Sequence, residues 1–172
     1  MSKLLDKIQC KWMKLRLQPI RVFCLYHVCE QFDADAMCEC DWMALDEFKQ
    51  KINALRSQGY QFISLSEAYN HLKKDWFRCN KYVVLTFDDG YKSLTEVLPW
   101  LEEKIPATLF INGKYLDARS YRDNPKERYL TYDELFSLTS SLIEGSHHGW
   151  EHVAATEMSE AELIDSMQKN VY

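Results

Sequence analysis

Tyr82-Val-Val-Leu-Thr-Phe-Asp-Asp-Gly-Tyr91 is the stretch on which the fold turns. Residues 82–87 are apolar, β-branched or aromatic over a short run, the pattern of a buried strand. Two adjacent carboxylates and a glycine follow, and then Leu94, Val97, Leu98 and Leu101 recur at helical spacing. In α/β proteins ligands bind at the carboxyl ends of strands, so Asp88 and Asp89 fall on the expected active face. Side chains alternate along a strand, which lets two neighbouring aspartates take different jobs. An Asp-Asp-Gly turn that merely solvates a strand end is also common, so the pair needs support from elsewhere in the chain.

Outward from this strand, the same alternation repeats. Upstream, residues 20–26 read as a first strand ending at His27. Residues 33–41 are acidic and turn-like, and Leu45, Phe48, Ile52 and Leu55 then predict a helix stopped by Gly59. Residues 60–65 read as a strand, and Ser64 with Glu67 forms a capping box that opens a helix through Ala68 and Leu72. Downstream, residues 107–111 read as a strand closed by Asn112-Gly113, followed by a polar excursion over 117–128. Thr131 with Glu134 caps another helix, residues 142–146 form a short strand, and Ser159 with Glu162 caps a last helix. Strands alternating with helices predict right-handed βαβ units around a parallel sheet or barrel.

The support for the aspartates comes from His147-His-Gly-Trp-Glu-His152, again just past a strand. His148 and His152 are four apart, so one helical turn puts both rings on one face. His147 and His152, five apart, meet if the segment is an irregular loop, and the spacing alone leaves both pairs open. Two imidazoles and one carboxylate suit a catalytic zinc or a similar divalent ion with an open position for water. Such an ion, held by Asp89 and two histidines, lowers the pKa of a water and polarises a carbonyl, with Asp88 free to take the proton. That chemistry hydrolyses amides or esters. His71 sits in an amphipathic helix and reads as solvated, while His27 reads as packing beside the site rather than acting in it.

Composition sets the frame. The 172 residues suffice for one domain, and 47% hydrophobic content with 13% aromatics excludes a disordered chain. The net charge of −5 and the lack of a long basic run argue against nucleic acid as the partner. The exception is residues 3–17, where Lys and Arg interleave with Leu4, Leu5, Ile8, Trp12, Met13 and Leu15. This stretch fits either weak contact with an anionic membrane surface or a helix that caps a barrel, and its shortness favours the cap. The basic residues interrupt any signal-peptide core, so a cytoplasmic chain with reduced cysteines is expected. Cys38-Glu-Cys40 is too tightly spaced for an ordinary zinc knuckle. The chain divides into a basic segment, 1–19, and a domain from 20 to 172.

Taken together, these residues resemble the polysaccharide deacetylases, carbohydrate esterase family four, with their NodB-like homology domain. Thr86-Phe-Asp-Asp-Gly90 is similar to the first family motif, and His148-Gly-Trp-Glu-His152 to the second. Leu25-Tyr-His27 is similar to the first strand of many members, residues 106–110 to the family's strand after the first helix, and residues 130–135 to its helix before the histidines. The resemblance implies Asp88 as catalytic base and Asp89, His148 and His152 as metal ligands. It also implies a distorted (β/α) barrel and metal-dependent removal of acetyl groups from N-acetylated sugars in a polysaccharide or its precursor. Zinc is the expected ion, with cobalt, nickel or manganese as alternatives.

Three departures accompany it. Tyr91 stands where many members have proline, and His147 competes with His148 as the partner of His152. The family's later motifs, including the segment with the catalytic acid, have no counterpart up to Tyr172, so an incomplete barrel is expected. Two alternatives follow for function: a truncated, non-catalytic domain that binds metal or glycan, and a related amidase on another non-peptide C–N bond.

Overall fold

The central element is β5 (Tyr82–Asp89), which runs past the apolar stretch to include both aspartates. The computed structural model describes residues 20–35, 37, 41–75, 81–102, 105–117, 128–138 and 142–169. The basic segment over 3–17, most of the excursion over 117–128, and Cys10, Cys38, Cys40 and Cys79 lie outside them. In order, the elements are β1 (Arg21–Leu25), β2 (His27–Cys29), β3 (Trp42–Ala44), α1 (Leu45–Ser57), β4 (Gln61–Phe62) and α2 (Leu65–Asp75). After β5 come α3 (Leu94–Glu102), β6 (Ala107–Ile111), α4 (Tyr132–Leu138), β7 (Ile143–His147) and α5 (Glu160–Lys169). Short 3-10 turns at Gly113–Tyr115 and Ala155–Glu157 complete the order.

β5 is continuous in apolar residues because neighbours cover it on both edges and both faces. β1 pairs along one edge, from Arg21 opposite Val83 to Leu25 opposite Phe87. β6 and the short β4 share the other edge, and β7 follows β6, with every pairing parallel. One face of β5 presents Val83, Leu85 and Phe87 to Phe48, Leu94, Leu98 and Leu101. The opposite face presents Val84 to Ile63 and Ala68. Phe87, Leu85, Leu94 and Leu98 are fully buried, each worth about 1.5–3 kcal/mol by removal from water. The sheet ends at β1 and β7, and among the described residues no strand joins these two edges. It is therefore an incomplete (β/α) barrel, as expected.

All three predicted capping boxes form. Glu67 N–H donates to Ser64 Oγ at 3.1 Å while Ser64 N–H donates to Glu67 Oε2 at 2.9 Å. Thr131 with Glu134 and Ser159 with Glu162 repeat the reciprocal pattern. The strand predicted over 60–65 is shorter than expected. Only Gln61 and Phe62 pair with β5, because Ser64 is already committed to capping α2. His71, expected to be solvated, instead stacks on Tyr82 with ring centroids 4.7 Å apart. No helix of the described residues is long and apolar enough to cross a membrane.

Candidate metal centre

Asp88 and Asp89 leave the carboxyl end of β5, where the chain turns sharply. Asp89 takes φ 69° and Gly90 φ 74°. A left-handed aspartate breaks the alternation expected of two strand neighbours. Both carboxylates therefore reach the same imidazole: His148 Nε2 lies 3.9 Å from Asp88 Oδ2 and 3.4 Å from Asp89 Oδ1. The glycine beside them is required twice over. Its φ suits glycine, and a Cβ there would sit 2.8 Å from Ile111 Cδ1 on the neighbouring β6.

The imidazoles come from residues 148–152, just beyond β7. This segment is an irregular loop rather than the helical turn expected from the four-residue spacing, with φ 83° at Gly149 and 56° at His152. The pair is nevertheless His148 with His152, their ring centroids 5.0 Å apart. His147 remains in the strand, opposite Ile111, with its side chain exposed.

Groups from outside the loop, three side chains and one backbone amide, hold its backbone. The fully buried Asn112 donates from Nδ2 to the carbonyls of His148, at 2.7 Å, and Gly149, at 3.3 Å. Tyr115 donates its hydroxyl to the Glu151 carbonyl at 3.2 Å, and Lys114 N–H donates to the Trp150 carbonyl at 3.1 Å. From α5, Ser166 Oγ accepts the Trp150 N–H at 3.0 Å. Sequence alone missed these contributions. Asn112 read as a strand stop, and nothing in the pattern around Ser166 distinguishes it from a helix surface position.

The result is a three-point donor set. Asp89, His148 and His152 each offer one ligand atom, and these atoms all lie within 4.8 Å of one another. Asp89 Oδ1 faces both rings, 3.4 Å from His148 Nε2 and 3.3 Å from His152 Nε2. That oxygen is buried and carries no hydrogen bond, a condition that a cation relieves. Burial pushes the Asp89 carboxyl pKa up, while His152, His148 and a hydrogen bond from Tyr91 draw it back. One carboxylate and two imidazoles, mutually close and aimed inward, fit a divalent ion.

Asp88 stands just outside this triangle. Cys24 on β1 donates its thiol to Asp88 Oδ2 at 3.2 Å. Burial, then Asp88, pushes the Cys24 thiol pKa up, which keeps it the donor. Burial and the nearby negative charges also push Tyr26 up to about 12. His27 does not join the donor set. It is buried, its Nδ1 lies 2.9 Å from Ser93 Oγ, and desolvation lowers its pKa to about 4.

Against known proteins, the family model for polysaccharide deacetylase matches residues 78–171, which contain every residue of the donor set. The chain belongs to the polysaccharide deacetylase family. Among solved structures, this deacetylase-family chain is similar to a polysaccharide deacetylase from Bacillus cereus, at a TM-score of 0.69 and 17% identity. The match covers 88% of this chain and 46% of that one. The Streptococcus pyogenes deacetylase PplD, solved in complex with acetate, gives 0.69 and 21%, over 87% of this chain and 66% of that one. IcaB from Ammonifex degensii gives 0.69 and 18%, over 90% and 68%. At these identities the likeness establishes the fold, and this family member spans about half the length of the Bacillus cereus protein. No curated protein matches it.

Proposed function

We propose that this chain carries the metal-binding side of a deacetylase site that removes acetyl groups from N-acetylated sugars in a polysaccharide or its precursor. Asp89, His148 and His152 hold a divalent ion, zinc being the best match to a set of two nitrogens and one carboxylate oxygen. When bound, that ion supplies Lewis acidity toward an acetyl carbonyl and makes a water a better nucleophile. The protein supplies the rest. Asp88 accepts the proton as the water attacks, with Cys24 fixing one of its oxygens at 3.2 Å. Asp88 suits the base because its Oδ2 is farther from His148, at 3.9 Å, than Asp89 Oδ1, at 3.4 Å.

The single observation that carries the proposal is the buried Oδ1 of Asp89, which faces two imidazole nitrogens without a hydrogen bond. The test is direct. Purified chain supplied with zinc is expected to bind it and to release acetate from an oligomer of N-acetylglucosamine. Folded protein that takes up no zinc, cobalt, nickel or manganese defeats the proposal.

A second reading, a portion that binds metal or glycan but needs further residues for turnover, is favoured by the 46% of the Bacillus cereus structure that is spanned. Zinc uptake without acetate release supports it over the first. Release of product from small amides or cyclic ureides, but not from acetylated sugars, supports an amidase on another C–N bond instead.

A further inference from the structure

We propose that Cys24 is a positioning residue for the catalytic base, its thiol holding the Asp88 carboxylate so that Oδ2 is the oxygen turned toward the donor set. The inference rests on the deacetylase reading above and deepens it. It assigns the proton taken from the attacking water to one atom of Asp88, and the orientation of that atom to a residue of β1.

Cys24 pairs with Thr86, so it shares a face of the sheet with Asp88, two residues farther along β5. On the opposite edge β6 places Phe110 in register with Asp88, and a phenyl ring donates no ordinary hydrogen bond. The two oxygens of Asp88 are therefore not equivalent. Oδ2 accepts the Cys24 thiol at 3.2 Å and lies 3.9 Å from His148 Nε2. Oδ1 is buried and takes no hydrogen bond. Burial shuts Oδ1 off from a water at the donor set, whereas Oδ2 keeps a free lone pair after accepting the thiol. The last torsion of an aspartate is soft, so a carboxylate held by nothing exchanges its two oxygens readily. The thiol selects one of the two orientations. A thiol is a weak donor, although a charged acceptor strengthens the bond. Cys24 is also exposed on an edge strand, so water can replace a lost donor and the effect is modest.

The experiment compares the zinc-loaded wild-type chain with Cys24→Ala and Cys24→Ser. Alanine removes the donor, and serine keeps one. In acetate release from an oligomer of N-acetylglucosamine, Cys24→Ala is expected to lower kcat by about five- to tenfold. KM and zinc affinity are expected to stay within about twofold of wild type, and Cys24→Ser to recover most of the rate. A kcat within about twofold of wild type in Cys24→Ala, or a Cys24→Ser as slow as Cys24→Ala, overturns the inference and leaves the metal reading standing. A second measurement needs no turnover. The infrared S–H stretch of Cys24, isolated by difference against Cys24→Ala, is expected to rise in wavenumber in Asp88→Asn as the charged acceptor is lost. A band that does not move overturns the inference, and this measurement decides alone for a chain that takes up zinc but releases no acetate. A folded wild-type chain that takes up no metal overturns the metal reading itself, and this inference with it.

Discussion

The two halves of the donor set are built in opposite ways. Asp88 and Asp89 end a central strand whose residues 83–87 are almost wholly buried, paired with β1 along one edge and with β4 and then β6 at the two ends of the other. The imidazoles sit on a loop beyond β7, the last strand of the sheet, and the loop has no ladder of its own. Its geometry comes from Asn112, Lys114, Tyr115 and Ser166, which reach it from β6's end and from α5. One half is positioned by the hydrophobic core, the other by a few hydrogen bonds. Damage to the first half is expected to be all-or-none, and damage to the second graded.

The largest effect belongs to the strand end. Asp89→Ala removes the only carboxylate in the donor set and is expected to abolish zinc uptake, read by calorimetry or metal analysis after dialysis. Asp88→Asn, one residue away, is expected to keep the zinc and lose catalysis by at least about 100-fold, measured as acetate release. If Asp88→Asn loses the metal and Asp89→Ala keeps it, the two roles are exchanged.

Asn112→Ala tests the other half. It leaves the carbonyls of His148 and Gly149 without their donor in a fully buried position. A stability loss of about 1–3 kcal/mol is expected in urea unfolding. Zinc affinity is expected to fall by about tenfold while uptake persists, the scale seen when the groups that orient ligands are lost. Complete loss of zinc in Asn112→Ala erases the contrast between the two halves.

The same contrast decides what the sequence could reveal. Apolar periodicity reports on the core, so β5, β6 and α1 were legible, and local side-chain-to-backbone chemistry made all three capping boxes legible. Spacing leaves both His147 and His148 open as partners of His152, and the helical turn that would favour His148 does not form, although the loop brings His148 and His152 together. Four-residue spacing carries no information about a loop whose φ at His152 is 56°. Asn112 and Ser166 act through contacts 36 and 16 residues away in sequence, which no local pattern encodes. Asp89 sits at the strand end that the sequence predicts, whereas its left-handed backbone, with φ 69°, has no local signal in the residue types around it, and both carboxylates lie near His148.

Acid is expected to strike from the strand side. His27 has a pKa lowered to about 4 from an ordinary 6.5 because burial disfavours its charged form. Between these values the unfolded chain binds the proton and the folded chain does not, so stability rises with pH across the window. The contribution is complete above pH 6.5 and is lost progressively as the pH falls toward 4. His27→Phe keeps a ring against Tyr91 but cannot titrate. Urea unfolding at pH 4.5, 5.5 and 7 is expected to show a shallower acid slope in the variant than in the wild type. Equal slopes in the two proteins assign the acid sensitivity elsewhere.

The smallest expected effect is at α5. Ser166→Ala removes the acceptor for the Trp150 N–H but leaves Asn112 and Tyr115 on the same loop. A net loss near 1 kcal/mol is expected, since one neutral hydrogen bond is involved and the freed amide is only partly buried. Hydrogen exchange gives the sharper readout. Protection of the Trp150 amide is expected to fall by about tenfold, while protection along β5 stays at the wild-type level. If β5 loses protection as well, loop and core unfold as one unit, and the ligand loop is not the separately held element that its hydrogen bonds describe.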